Sequence, residues 1–409
     1  MADVNQRQAM YTKLSEIDLK VRQDYIGGID DTVLMDGICA GYVAGLSDPN
    51  GKYLSAERYK AYLEGTSGGN VGVGILTIQD DDGNMEIVEV FPNSSAEKSG
   101  LKKGDVITAI DDQEVVRLTY GEAATRLDGT AGSTVKFTLL RTDETTGELV
   151  RETVSVTRTE YLSSPVKNKM INGNVGYISV SQFSKDAGQQ FLDALDELVK
   201  SGASGIVVDL RNNSGGLVDE MALAADELLP AGNIVSYVDK DGKSTAEYTS
   251  DADALGLPIS VIVNKGTYGA AELFAANIAD YKKGKVIGEV TAGSGTKQDV
   301  IALSDGSAVI ISVAQYVRVD GTQITGVGVT PDMEISLSEE QEELLLRNSL
   351  DPSEDPQVQA AITALISQGA QVQQVPGAES SGPEESAPEE AAEEGDSTES
   401  TAEEVQEEA

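Results

Sequence analysis

Two runs, GIVVDL (205–210) and PISVIV (258–263), are apolar at nearly every position, and KVIGEV (285–290) sets adjacent Val286 and Ile287 between charged residues. A strand that is apolar only at alternate positions buries one face, whereas one that is apolar throughout must bury both. Helical stretches separate these runs. DAGQQFLDALDELVKSG precedes the first, LVDEMALAADELL follows it, and AAELFAANIADY follows the second. Strands alternating with helices of about 10–15 residues specify an α/β core with both sheet faces covered. NVGYISV, SAVIISVAQYV and GVTPDMEI add further strands, so this core is expected over 159–349.

Residues 1–66 read as a helical segment. RQAMYTKLSEIDLKVRQDYI places Met10, Leu14, Ile17, Leu19, Val21 and Ile26 at helical intervals, and DDTVLMDGICAGYVAGL follows with Asp30 or Asp31 as N-cap. Such an amphipathic segment could pair two copies of the chain into a homodimer; packing against its own chain is the alternative. The texture changes over 67–158 to short strands with Gly and Asp turns, interrupted by the short helices SAEKSG and YGEAATRL. GNVGVGI (69–75), VFPNSSAEKSGLKKGDVITAIDDQEV (90–115) and RLDGTAGSTVKFTLLR (126–141) together resemble a PDZ domain. That resemblance implies capture of a protein C-terminus as an added strand, with its carboxylate held by loop N–H groups. Gly69, Val71, Gly72, Val73, Gly74 and Ile75 are the expected peptide-binding residues.

Composition closes several routes. The chain has 409 residues, enough for two or three domains, and a net charge of −39, which repels nucleic acid. It has no His, so neither a Ser-His-Asp triad nor a His-containing metal site can form. Its single Cys39 sits among apolar neighbours and is expected in the core. No motif calls for a metal, nucleotide or redox cofactor, and none is expected. No stretch approaches the ~18 apolar residues of a membrane span, and the opening MADVNQRQAM is too polar for a signal peptide. After Leu350 there are 16 Asp and Glu and no Lys or Arg. One more helix could form in DPQVQAAITALISQ, but residues 350–409 are expected to be a mostly disordered acidic tail.

Chemistry concentrates at NKGTYGAAE (264–272), where a buried strand turns into a helix. Such a turn exposes one side chain beside the unpaired N–H groups of a helix start. With GYISVSQFS (176–184), GIVVDLRNNSGGLVDEM (205–221) and TAGSGTKQ (291–298), lying after a PDZ-like segment, this stretch resembles the C-terminal processing peptidases, or tail-specific proteases. The resemblance implies a crotonase-like or Clp-like ββα protease core with the PDZ domain inserted before it. It also implies placement outside the cytoplasm, whether secreted, periplasmic or membrane-anchored.

These peptidases use a serine activated by a desolvated lysine, which a glutamine orients. Carried over by position, the resemblance puts the nucleophile at Gly269, the general base at Ser294 and the orienting glutamine at Gln298. Two of the three side chains are therefore missing. The oxyanion hole it implies is made of backbone N–H groups at Gly215 or Gly216 and at Ala270, and Ser214 stands where the family usually has Pro. Three readings follow. The chain is a catalytically dead homologue that binds protein C-termini, an endopeptidase working through the displaced Thr267 and Lys297, or a non-enzymatic scaffold. Residue chemistry favours the first, because catalytic geometry tolerates only about 1 Å of misplacement. Lys297 then reads as a surface residue at the end of its loop.

Overall fold

The computed structural model describes residues 2–66, 70–143, 145–161, 164–251 and 254–373. Six strands form the central sheet in the order Val166–Ile171, Val175–Val180, Gly205–Asp209, Ile259–Val263, Gly284–Gly288 and Met333–Glu334. The first pair is antiparallel and the rest are parallel. All five residues of Gly205–Asp209 and of Ile259–Val263 are buried, as their composition requires.

The two faces carry separate cores. Ile206, Val208, Val261, Val263 and Val286 pack with residues of the helices Ala187–Lys200, Val218–Asp226 and Ala270–Asp280. Val207, Ile262 and Ile287 pack with Val358, Ala361, Ile362 and Leu365 of the helix Pro356–Ser367. That helix is capped by Asp355, which accepts from Gln357 N and Val358 N. Residues 350–373 are thus part of the folded body, and the boundary expected at 349 falls too early. The acidic composition there hid a helix whose apolar residues cover a whole sheet face. The rest of the expected acidic tail, 374–409, lies outside the described residues.

A second sheet joins Lys52–Leu54, Ala308–Val317, Gly232–Asp239 and Ser244–Ser250, with Thr296–Ala302 on the other side of Ala308–Val317. The PDZ segment has its own sheet, ordered Ile75–Gln79, Met85–Val90, Val106–Ile110, Thr134–Thr142 and Leu149–Thr157. Its core is Ile87, Ile107, Ile110, Phe137 and Leu139, all fully buried. The two ends of this segment meet, because Asn70–Gly72 pairs antiparallel with Thr159–Tyr161.

At the N-terminus the helices are Ala2–Asp24, Asp31–Ala44 and Ala56–Thr66. Asp30 caps the second by accepting from Thr32 N and Val33 N. Met10, Tyr11, Ile17 and Leu19 remain exposed, and Ile26 lies beyond the end of its helix. Cys39 is only half-buried, not a core residue, because the helix that carries it buries little besides Val43.

Candidate active site

Three loops at the carboxyl ends of adjacent parallel strands build the site, the usual position for a ligand crevice in an α/β sheet. They are 210–217 after Gly205–Asp209, 264–269 after Ile259–Val263, and 289–295 after Gly284–Gly288. Side chains of the first two interlock. Asn264 Oδ1 accepts from Asn212 N at 2.9 Å and Gly266 N at 3.0 Å, and Asn264 Nδ2 donates to Asn212 Oδ1 at 3.0 Å. Tyr268 N adds a bond to Asn213 O at 2.9 Å.

Glu272 ties in the third loop. Its fully buried carboxylate accepts from Gly269 N at 2.9 Å, Gly293 N at 2.7 Å, Ser294 N at 2.7 Å and the Thr291 hydroxyl at 2.5 Å. Four donors compensate an ion that burial would otherwise penalise heavily. The pattern is a capping-box Glu at the third position of the Ala270–Asp280 helix, reaching back to the cap residue. A glutamate three residues after a turn was the available sequence signal, but its reach to Gly293 and Ser294 is a tertiary fact.

The strand-to-helix turn places Gly269, the position expected for the nucleophile, at the cap of the Ala270–Asp280 helix. Gly269 caps the helix at φ 53°, ψ −112°, a backbone that side chains rarely adopt. A Cβ added there would meet nothing closer than Gly215 Cα and Ser294 O, each at 3.9 Å. The positions expected for nucleophile and base therefore adjoin each other, and the space for a side chain is open.

Of the backbone donors expected from the sequence, one is engaged within its own loop. Gly215 N donates to Asn213 Oδ1 at 2.8 Å, so its N–H is engaged within the loop. Gly216 N and Ala270 N have no acceptor among the described residues. Gly215 and Ala270 lie close, since a Cβ on Gly215 would be 3.5 Å from Ala270 N. The pair of free donors is thus Gly216 with Ala270.

The displaced candidates do not converge on this point. Thr267 is fully buried; its hydroxyl accepts from Asn264 N at 3.0 Å and donates to Leu210 O at 2.8 Å. Lys297 lies on the strand Thr296–Ala302 rather than at a loop end. Its ammonium pairs with Glu247 and sits 4.6 Å from the centre of the Tyr237 ring. Lys265 is exposed and pairs with Glu342 at 3.0 Å. Gln298 is exposed too, and its amide donates to Thr296 O at 2.8 Å and Thr296 Oγ1 at 2.6 Å. The retained glutamine is therefore turned to its own strand.

Behind the first loop lies a buried charge network. Arg211 donates to Asp209 Oδ1 and Oδ2, to Asp355 Oδ2 at 2.7 Å and to Gln357 Oε1 at 2.9 Å. Tyr177 donates its hydroxyl to Asp209 at 2.5 Å. Burial pushes the Asp209 carboxyl up, but the adjacent Arg211 guanidinium and these hydrogen bonds more than offset it and hold the carboxyl below the usual range. Burial, and then the Asp209 charge, push the Tyr177 phenol well up.

A cleft of about 580 Å³ leads from this loop to the PDZ segment. Its lining includes Asn212 and Ser214 on one side and Ile75 to Ile78 on the other. Leu345 and Leu346, at the end of the helix Glu339–Leu346, also line it. Val71 and Gly72 lie on the strand Asn70–Gly72, and Val73 and Gly74 link it to the Ile75–Gln79 strand, with Gly74 at φ 81°. Gly69 lies outside the described residues.

Comparison with known proteins agrees with this geometry. Residues 174–335 match the model of peptidase family S41, and residues 71–150 match that of the PDZ domain. The carboxy-terminal processing protease CtpA of Bacillus subtilis (strain 168) is 31% identical over 328 residues, covering 80% of this chain and 69% of that protein. For two staphylococcal relatives, the match spans 66% and 65% of their own lengths. Among solved structures, a photosystem II D1 C-terminal processing protease superposes with a TM-score of 0.53 at 28% identity. That match covers 83% of this chain and 92% of that one.

Proposed function

Because the chain belongs to the C-terminal processing proteases of peptidase family S41 and carries a PDZ domain, we propose that it captures polypeptide C-termini without cleaving them. The observation that carries this reading is the Gly269 turn, where an open position lies beside the Gly216 and Ala270 N–H donors but bears no nucleophile. Ser294 likewise has no amine to act as base. Loss of nucleophile and base leaves a serine protease with roughly 10³-fold residual acceleration, too little for useful peptide hydrolysis. Binding needs neither group. An extended C-terminus adds to the edge strand Ile75–Gln79, its carboxylate taken by the 71–74 segment, and the cleft carries the upstream residues toward Ser214. Two intact N–H groups remain to hold a peptide carbonyl there. Placement outside the cytoplasm and pairing of two copies through the N-terminal helices belong to the same proposal; the family supports the first and the exposed Met10, Tyr11, Ile17 and Leu19 support the second.

The test is a paired assay on the full chain with a protein bearing an apolar C-terminal tail. Calorimetry should register binding, and gel analysis should show no cleavage. Gly269→Ser combined with Ser294→Lys should restore cutting, at some cost in stability from a side chain held at φ 53°, since the added Cβ has room and the two positions adjoin. Cleavage by the unmodified chain that is lost in Thr267→Ala or Lys297→Ala would overturn the proposal.

A further inference from the structure

The free edge of the Ile75–Gln79 strand is already bonded from within the domain. Thr77 stands opposite Ile87 in the ladder. Ile87 spends its own main-chain groups on the far side, donating to Asp105 O at 2.8 Å and accepting from Gly104 N at 2.7 Å. Thr77 and Ile87 are therefore a pair that exchanges no hydrogen bonds, and the N–H and C=O of Thr77 point away from the sheet. Phe91 N donating to Gly74 O agrees with this alternation, since position 74 faces inward and 75 and 77 outward.

An added strand would bond to these outward groups. One of them is taken. Tyr120, the first residue of the helix Tyr120–Thr125, donates its hydroxyl to Thr77 O at 2.5 Å, and that hydroxyl lies 3.1 Å from Thr77 Oγ1. The helix start is fixed by a full capping box, with Thr119 N donating to Glu122 at 2.8 Å and Glu122 N to Thr119 Oγ1 at 3.3 Å. The Tyr120 ring packs on the PDZ core. A phenol anchored at its ring end thus spans from the helix to the strand edge.

We propose that the peptide groove is self-occupied: the Tyr120 hydroxyl stands where the backbone N–H of an incoming C-terminal strand would donate, and capture requires its displacement. This rests on the reading that the Ile75–Gln79 edge takes the peptide. Tyr120 is here a gate, and its bond to Thr77 O sets the threshold a ligand must exceed. A peptide that forms only this one main-chain bond gains nothing over the closed groove. One that also places its carboxylate against the 71–74 segment and side chains along the edge does.

The experiment is calorimetry of the full chain with a short peptide ending in Leu-Ala-Ala with a free carboxylate. Tyr120→Phe keeps the ring and deletes the competing donor, so affinity should rise about three- to tenfold, the worth of one net hydrogen bond. Tyr120→Leu, which fills the core side but cannot span to Thr77, should bind at least as tightly as Tyr120→Phe. If the unmodified chain binds and both variants bind equally or more weakly, the gate is wrong while peptide capture stands. If none of the three binds, both capture at this edge and the gate are overturned.

Discussion

At the residue scale, buried polar groups hold the turn at Gly269 and the loop at Ser294 in place. Glu272 shows this best. Its carboxylate is the shared acceptor for the nucleophile-position turn and the base-position loop, through Gly269, Gly293, Ser294 and Thr291. Removing it strands several buried donors at once, each worth about 1–3 kcal/mol when unsatisfied. Glu272→Ala should therefore cost about 3 kcal/mol or more in urea unfolding, and Glu272→Gln less, because an amide oxygen still accepts. A cost below about 1 kcal/mol for the alanine variant would mean that water replaces the carboxylate and the loops are held by other contacts. The sequence motif singled out Gly269, Ser294 and Ala270. It could not show that Asn213 occupies Gly215 N and leaves Gly216 as the free donor, because that depends on a side-chain rotamer.

At the element scale, the helix Pro356–Ser367 is where composition and structure part. The all-apolar strands required cover on both faces, and three helices were assigned without saying which face each took. Those three helices line one face together, so Val207, Ile262 and Ile287 depend on Val358, Ile362 and Leu365. The apolar periodicity of 355–368 was legible, but the surrounding acidic residues masked its role. Deleting residues 374–409, which removes 13 acidic residues, should leave the unfolding midpoint unchanged or raised. Deleting 350–409 should give protein that is insoluble or binds hydrophobic dyes, since it exposes a sheet face and unpairs Arg211 from Asp355. Equal stability of both truncations would sink this account. The N-terminal segment is the opposite case: its helices were readable from spacing, while their exposed apolar residues were not.

At the scale of the whole molecule, two acid-sensitive effects oppose each other. A chain of net charge −39 repels itself, and mild acidification relieves that strain. Asp209 works the other way. Its folded-state pKa lies below the unfolded value of about 3.9, so its contribution is present above that value and is lost as pH falls through the lower folded one. Urea midpoints should hold or rise from pH 7 to about pH 5 and then drop below about pH 4. A continued rise to pH 3 would show that self-repulsion, not the Asp209–Arg211 network, dominates. One feature of the fold also bears on how such a chain can be rebuilt. The PDZ segment enters and leaves through the paired strands Asn70–Gly72 and Thr159–Tyr161. Cα atoms across such a pair lie only about 5 Å apart. Everything between them can be removed or exchanged behind a linker of a few residues without stretching the remainder. For evolution, as for an engineer, the PDZ segment is a cassette that can be exchanged while the frame behind it stays the same.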